Sequence, residues 1–363
     1  MPSKLYQHSI SIIKRNQHPS GAYLACPNFP PYRYSWFRDG AFIAYAMDMV
    51  DEHESANRFY EWTVKTILHY EAKIHRCIEK TRQNIVPAKT DFFHARFTPE
   101  GLEQEDGWGH HQLDGLGTWL WSMGQHIKMC GTSAIPDSWQ LSIDLLQEYL
   151  TVLWPYPCYD CWEENQDQIH TYTLATLFAG LREIASFTDN HTAHNTANEI
   201  RSYVLKNALH DGCLTKFIGS SEVDANLIGA AIPCQLLDID NDIMRETVDR
   251  IEKDLCSKSG GLHRYAQDTF YGGGSWILLT AWLGWYYAES GQVERARSIL
   301  NWVENQAAPN GDLPEQISQD LNSPSHFSIW VERWGDVASP LLWSHAMYLI
   351  LYRVIQRKTE GGN

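Results

Sequence analysis

No run of about 18 consecutive apolar residues occurs in this chain, so a membrane-spanning helix is not expected. Positive charge is also in short supply. The 29 Lys and Arg face 44 Asp and Glu, for a formal net charge of −15, and no Arg/Lys stripe appears. That balance disfavours the nucleic-acid backbone and anionic membrane surfaces as partners. No glycine-rich phosphate loop is present, and nothing in the chain calls for a metal, nucleotide or redox cofactor. The N-terminal MPSKLYQHSISIIKRNQ has basic residues but neither a continuous apolar core nor a small-residue cleavage site. A signal peptide is therefore not expected, and the expected location is the cytoplasm. Cys158-Tyr-Asp-Cys161 has metal-like spacing, yet no second pair answers it, and a structural zinc site takes four ligands. The eight cysteines are expected to be reduced and mostly buried. Strand-like alternation is scarce, and no Pro/Ser/Gly-rich linker divides the chain.

What the chain has in excess is aromatic: 15 Trp and 18 Tyr in 363 residues. Many stand beside polar residues, as do Tyr32, Tyr34, Trp36, Trp108, Trp162 and Trp276. Sugar rings present flat C–H faces with hydroxyls around the rim, so a site for them suits aromatic platforms flanked by carboxylates and amides. Large aromatics also fill large cores, and the two uses coexist.

Helical periodicity recurs along the whole length. It predicts an all-α chain with helices over 4–16, 40–50, 54–71, 113–130, 137–152, 168–187, 191–208, 223–237, 241–256, 275–290, 292–306 and 339–357. Short connections join neighbours into hairpins. They alternate with long ones at 17–39, 72–112, 153–167, 209–222, 257–274 and 307–338. Loops that long in a compact fold are usually functional. Six hairpins closed into a barrel would gather all the long loops at one end. One domain spanning 1–363 is expected, with a frayed tail after Gln356.

The long loops carry charge together with aromatics. They hold Tyr34-Ser-Trp-Phe-Arg-Asp-Gly40, Trp108-Gly-His-His-Gln-Leu-Asp-Gly115, Cys161-Trp-Glu-Glu164, Arg264-Tyr-Ala-Gln-Asp268 and Leu313-Pro-Glu-Gln316. Val223-Asp-Ala-Asn-Leu227 follows the fourth loop. Glu163 and Glu164 sit ahead of a helix, where acidic residues also occur simply because they favour the positive end of its dipole. Cleaving a glycosidic bond requires a protonated carboxyl for the leaving oxygen, and a tryptophan and a second carboxylate beside a glutamate both raise its pKa. Trp162 and Glu164 flank Glu163 in sequence and are expected to do so. Asp114, Asp224 and Asp268 are candidates for sugar contacts or for ordinary caps. Trp343-Ser-His345, at the start of the last helix, either lines the floor of the site or packs in the core, and the core is the expectation.

Taken in order from about Tyr34 to Ala346, these segments resemble the glucoamylases, glycoside hydrolase family 15. The resemblance implies an (α/α)6 barrel that removes glucose from non-reducing ends of α-glucans with inversion. It makes Glu163 the general acid and Glu315 the general base, with Arg38 and Asp39 holding the terminal glucose. Tyr34, Trp36, Trp108, His110, Trp162, Glu164, Arg264 and Trp276 join them as substrate-binding residues. Inversion sets the two carboxyls roughly 6.5–9.5 Å apart, leaving room for water. Two departures favour short α-glucosides, isomaltose or malto-oligosaccharides, over starch. Trp108-Gly-His110-His111 stands where starch-acting members often have Trp-Gly-Arg-Pro, and neither a β-sandwich nor a starch-binding module is seen. The expected partner is a small oligosaccharide, and the expected state a monomer or homodimer. Two rival readings are a sugar 2-epimerase working through His110 and His111, and a non-catalytic glucan-binding module. The presence of both glutamates favours catalysis.

Overall fold

The computed structural model describes residues 3–104, 106–188 and 190–360. Helices form where capping and one-sided burial agree. The helix α1 (Lys4–Arg15) starts at Ser3, whose hydroxyl accepts the Tyr6 N–H, and buries Tyr6, Ser9, Ile12 and Ile13 on one face. It is followed by α2 (Phe37–Met49), α3 (His53–His69), α4 (Glu71–Arg82), α5 (Asp114–Met129), α6 (Asp137–Leu153) and α7 (Thr171–Ala185). Next come α8 (His191–Asn207), capped by the Asn190 side chain, and α9 (Asp242–Leu255), capped by Asn241. The last are α10 (Ile277–Glu289), α11 (Val293–Asn305), α12 (Pro324–Trp334) and α13 (Leu342–Glu360).

These helices form an (α/α)6 barrel. The inner ring runs α2, α5, α7, a 3-10 turn at Ala225–Ala230, α10 and α13, and α13 closes against α2. Inner helices are buried nearly all round: in α10 every residue but Glu289 is buried. Outer helices are amphipathic, as a helix with one face in water should be. The ring is tight at α5 and α7, where a Cβ added to Gly180 would lie 2.4 Å from the Gly117 carbonyl oxygen. Only glycine allows that approach.

Three expectations change. The helix expected over 223–237 is a short 3-10 turn followed by further turns, because Pro233 lacks an N–H to continue a helix. Its place is held by Gly229 under the Tyr172 ring and by the Trp282 indole, which donates to the Ile232 carbonyl at 2.6 Å. Two helices lie inside connections expected to be irregular. In α4 the buried residues Ile74, Cys77, Ile78 and Thr81 do keep helical spacing, but one residue, Tyr70, separates it from α3. The other, α12, buries no residue and so leaves no core stripe to read. The chain is helical through Glu360 rather than frayed after Gln356, and 361–363 lie outside the described residues.

Candidate active site

The segments before the inner helices meet at one end of the barrel. Two short ladders tie them: Ser35–Trp36 pairs with Arg96–Phe97, and Ser275–Trp276 with Gln316–Ile317. Between them opens a cavity of about 470 Å³. Both predicted catalytic glutamates line it.

Glu163 sits on a turn built by Asp160. One Asp160 carboxylate oxygen accepts the N–H groups of Trp162 at 3.0 Å and Glu164 at 2.8 Å, and the Asp160 carbonyl accepts that of Glu163 at 2.9 Å. The turn forces Glu163 to φ 68°, a left-handed conformation that costs a non-glycine residue about 1–3 kcal/mol and is typical of functional sites. Glu163 Oε1 then accepts from Trp36 Nε1 at 2.7 Å and from Gln112 Nε2 at 3.0 Å. Arg38 donates to Gln112 Oε1 at 3.0 Å, which orients that amide. With Oε1 committed to two donors, Oε2 is the oxygen that can carry a proton.

The sequence neighbours do not flank Glu163 as expected. The Trp162 indole N–H instead donates to Asp224 at 2.9 Å, while Glu164 accepts from Arg264 at 3.3 Å and Tyr265 at 2.5 Å. A left-handed turn sends adjacent side chains different ways, and here each finds its own partner.

Glu315 is buried, 3% exposed, and its Oε2 has no hydrogen-bond partner among the described residues. Burial pushes its carboxyl up to about 8, while Arg264 and the Tyr32 hydroxyl act against the rise and Asp39 and Asp268 add to it. Its backbone is held on both sides, the N–H by the Ala338 carbonyl at 2.9 Å and the carbonyl by the Ile277 N–H at 3.2 Å. Just upstream, Ser344 donates to the Pro314 carbonyl at 2.9 Å and the Leu313 N–H donates to His345 Nε2 at 3.0 Å. Since Nε2 accepts, the hydrogen sits on Nδ1 and is donated to Ser9 at 2.9 Å.

Two arginines brace the floor. Arg38 pairs with Asp114 at 3.2 Å and Asp39 at 3.5 Å, and lies over the Trp343 ring. Burial pushes the Asp39 carboxyl up to about 6 despite Arg38, and the Glu163 charge adds to the rise. Arg264 makes a two-pronged pair with Asp268, at 2.8 and 2.5 Å, among the rings of Trp162, Tyr265, Phe270 and Trp276.

Residues 2–301 match the family model described as glycosyl hydrolases family 15. The isomaltose glucohydrolase of Kribbella flavida is 39% identical over 355 residues, 96% of this chain and 91% of that protein. The chain belongs to glycoside hydrolase family 15. A solved glycosidase, also studied as a glutamate-to-alanine variant in complex with glucose, superposes with a TM-score of 0.93 at 38% identity, covering 97% of this chain and 96% of that one. A bacterial glucoamylase solved with acarbose shares the fold, with a TM-score of 0.75 at 19% identity over 98% of this chain and 56% of its own.

In this family 15 glycoside hydrolase, Trp36, Arg38, Asp39, Trp108, Trp162, Glu163, Glu164, Arg264, Trp276 and Glu315 all line the cavity. Tyr34 and His110 stand outside it. The Tyr34 ring instead supports Arg96, which is wedged against Trp108 at 3.7 Å. His110 is turned into the wall and stacks on His94 with centroids 3.5 Å apart, and His111 stacks on Phe92 at 3.7 Å. Neither histidine lines the cavity, which removes the basis of the epimerase reading. Asp114, Asp224 and Asp268 are buried counter-ions for Arg38, Lys216 and Arg264. Trp343 packs in the core as expected and also lines the cavity floor. Tyr32, named among the aromatics suited to a sugar but not among the substrate-binding residues, lines the cavity too, whereas sequence reasoning passed over Gln112 and, at the cavity wall, Trp330 and Trp334 of α12. Gln112 lay inside a quoted motif, whereas α12 carried no signal beyond its aromatics.

Proposed function

We propose that this enzyme removes single glucose units from the non-reducing ends of short α-glucosides with inversion, releasing β-glucose. The supporting observation is that one aromatic cavity holds two glutamates in contrasting settings. Glu163, with 18% of its side chain exposed, has one oxygen tied by two N–H donors and the other left to protonate the departing oxygen. Glu315 is the deeper group and has an unpartnered oxygen for a water. Arg38, Asp39 and Arg264 hold the hydroxyls of the terminal glucose, and Trp36, Trp108, Trp162 and Trp276 supply its platforms. Likeness to an isomaltose glucohydrolase supports an α-1,6-linked disaccharide as substrate, with malto-oligosaccharides the next class. The whole chain acts as one catalytic unit, a monomer or homodimer. Its eight free thiols suit a reducing cytoplasm.

A second assignment is favoured by one observation. Burial raises Glu315, as suits an acid, so the two roles exchanged is the alternative. Leaving-group chemistry separates them, since fluoride departs without a proton donor but water still needs a base. Purified Glu163→Gln and Glu315→Gln are assayed on isomaltose, maltose and α-D-glucosyl fluoride, with proton NMR to read the anomer first released. The expected result is early β-glucose, fluoride hydrolysis kept by Glu163→Gln, and both substrates lost by Glu315→Gln. The mirror pattern would hand the acid role to Glu315. Early α-glucose would refute inversion.

A further inference from the structure

Lys216 belongs to the fourth long connection and does not line the cavity, yet three parts of the acid's surroundings converge on it. Its side chain is 4% exposed. Its ammonium stands 3.2 Å from Asp224 Oδ2, the same oxygen that accepts the Trp162 indole N–H at 2.9 Å. It lies 3.9 Å from Asp160 Oδ2, whose partner oxygen holds the backbone of the Glu163 turn. It also sits 3.1 Å above the ring of Tyr265, whose hydroxyl donates to Glu164. Its own backbone is anchored, the N–H to the Glu222 carbonyl at 2.7 Å and the carbonyl to the Thr171 N–H, at the start of α7.

Asp160 and Asp224 are 1% and 0% exposed, and among the described residues Lys216 is the cation that pairs with either. Two buried carboxylates without a counter-charge must take up protons or admit water, and both responses disturb what they hold. What they hold is the left-handed turn at Glu163 and the indole next to it.

We propose that Lys216 is a positioning residue for Glu163: by neutralising Asp160 and Asp224 it keeps the turn that presents the acid. This rests on Glu163 being the acid. The role has a signature that loss of structure lacks. A misplaced acid slows only substrates whose leaving group needs a proton, whereas a damaged fold slows all of them.

The experiment compares Lys216→Met with the parent and with Glu163→Gln on isomaltose and on α-D-glucosyl fluoride. Lys216→Met is expected to lose on the order of tenfold to a hundredfold in kcat on isomaltose, a fraction of what a positioned acid contributes. On the fluoride its kcat should stay within about threefold of the parent, because the leaving group needs no acid, while any shift of the Trp162 platform acts on KM for both substrates. Should Lys216→Met fail to fold, Lys216→Met combined with Asp224→Asn removes a buried anion along with the cation. That pair is expected to show the same sparing of fluoride with a smaller loss on isomaltose. Equal loss on both substrates, or no loss on either, overturns the proposal. Glu163→Gln is the separate check. If it spares fluoride while the Lys216 variant does not, the proposal alone falls, and if it loses both substrates, the acid assignment falls and takes the proposal with it.

Discussion

Replacing Glu315 with Gln is expected to stabilise the fold by an amount that grows with pH. Burial raises this carboxyl from its ordinary 4.5 to about 8. A carboxyl raised on folding keeps a proton that the unfolded chain releases. Stability is therefore unaffected below about 4.5, falls as pH rises, and levels off above about 8. At about 1.4 kcal/mol per tenfold difference in proton affinity, the loss reaches about 3 kcal/mol at pH 7 and about 5 kcal/mol above pH 8. Gln has no proton to lose and escapes it. With an unfolding entropy of roughly 2.1 cal/mol/K per residue over 363 residues, 3 kcal/mol corresponds to about 4 °C in Tm. Calorimetry of both proteins at about pH 5, 7 and 9 tests this, the values bracketing the two pKa limits. Any constant cost of placing an amide there cancels, because only the change in the Tm difference with pH is read. The difference should widen from pH 5 to 9, and a difference independent of pH would refute the reasoning. The burial that raises this carboxyl would then be a measurable cost in stability.

Other expectations concern what holds the site. His345→Leu removes the acceptor for the Leu313 N–H and should lower kcat on disaccharide and fluoride alike by about tenfold to a hundredfold, the scale of a small misplacement, with glucose affinity unchanged. Loss on the disaccharide alone would place the effect on the acid side. Gly180→Ala forces a methyl against the Gly117 carbonyl and should cost about 1–3 kcal/mol, read as a lower urea midpoint at unchanged m. Trp330→Ala removes an indole that lines the cavity and packs on Phe270 at 4.9 Å. It should raise KM for disaccharide several-fold, as loss of an aromatic contact worth about 0.5–1.5 kcal/mol implies, and improve kcat/KM on longer glucans relative to the parent. An unchanged preference for chain length would remove α12 from substrate selection.

The local chemistry of the chain was enough to determine its class of architecture and most of its cavity. A period of 3.6 survives in any helix that buries one face, so helices such as α1, α3, α8 and α11 were legible. The segment 275–290 was legible as a helix, but that Ile277–Ala288 is buried all round in the inner ring came only with the structure. Long connections dense in charge and aromatics marked the end where the site would lie, and Glu163 and Glu315 were placed by motif. Only tertiary structure decided which partner each group meets. Whether Glu163 faces Trp162 or Trp36 depends on a left-handed turn set by Asp160 and on an indole 127 positions away. Asp114 became a counter-ion because Arg38, 76 positions away, reached it, whereas Asp224 and Asp268 pair with Lys216 and Arg264 nearby in sequence, through turns that only the fold sets. The helix α12, with no buried residue, leaves no periodic trace, since its hold comes from Trp330 against Phe270 and Tyr271 rather than from the core. Periodicity records what a segment does with its own faces. Contacts between distant loops leave no period, and the electrostatics of a buried site follow from those contacts.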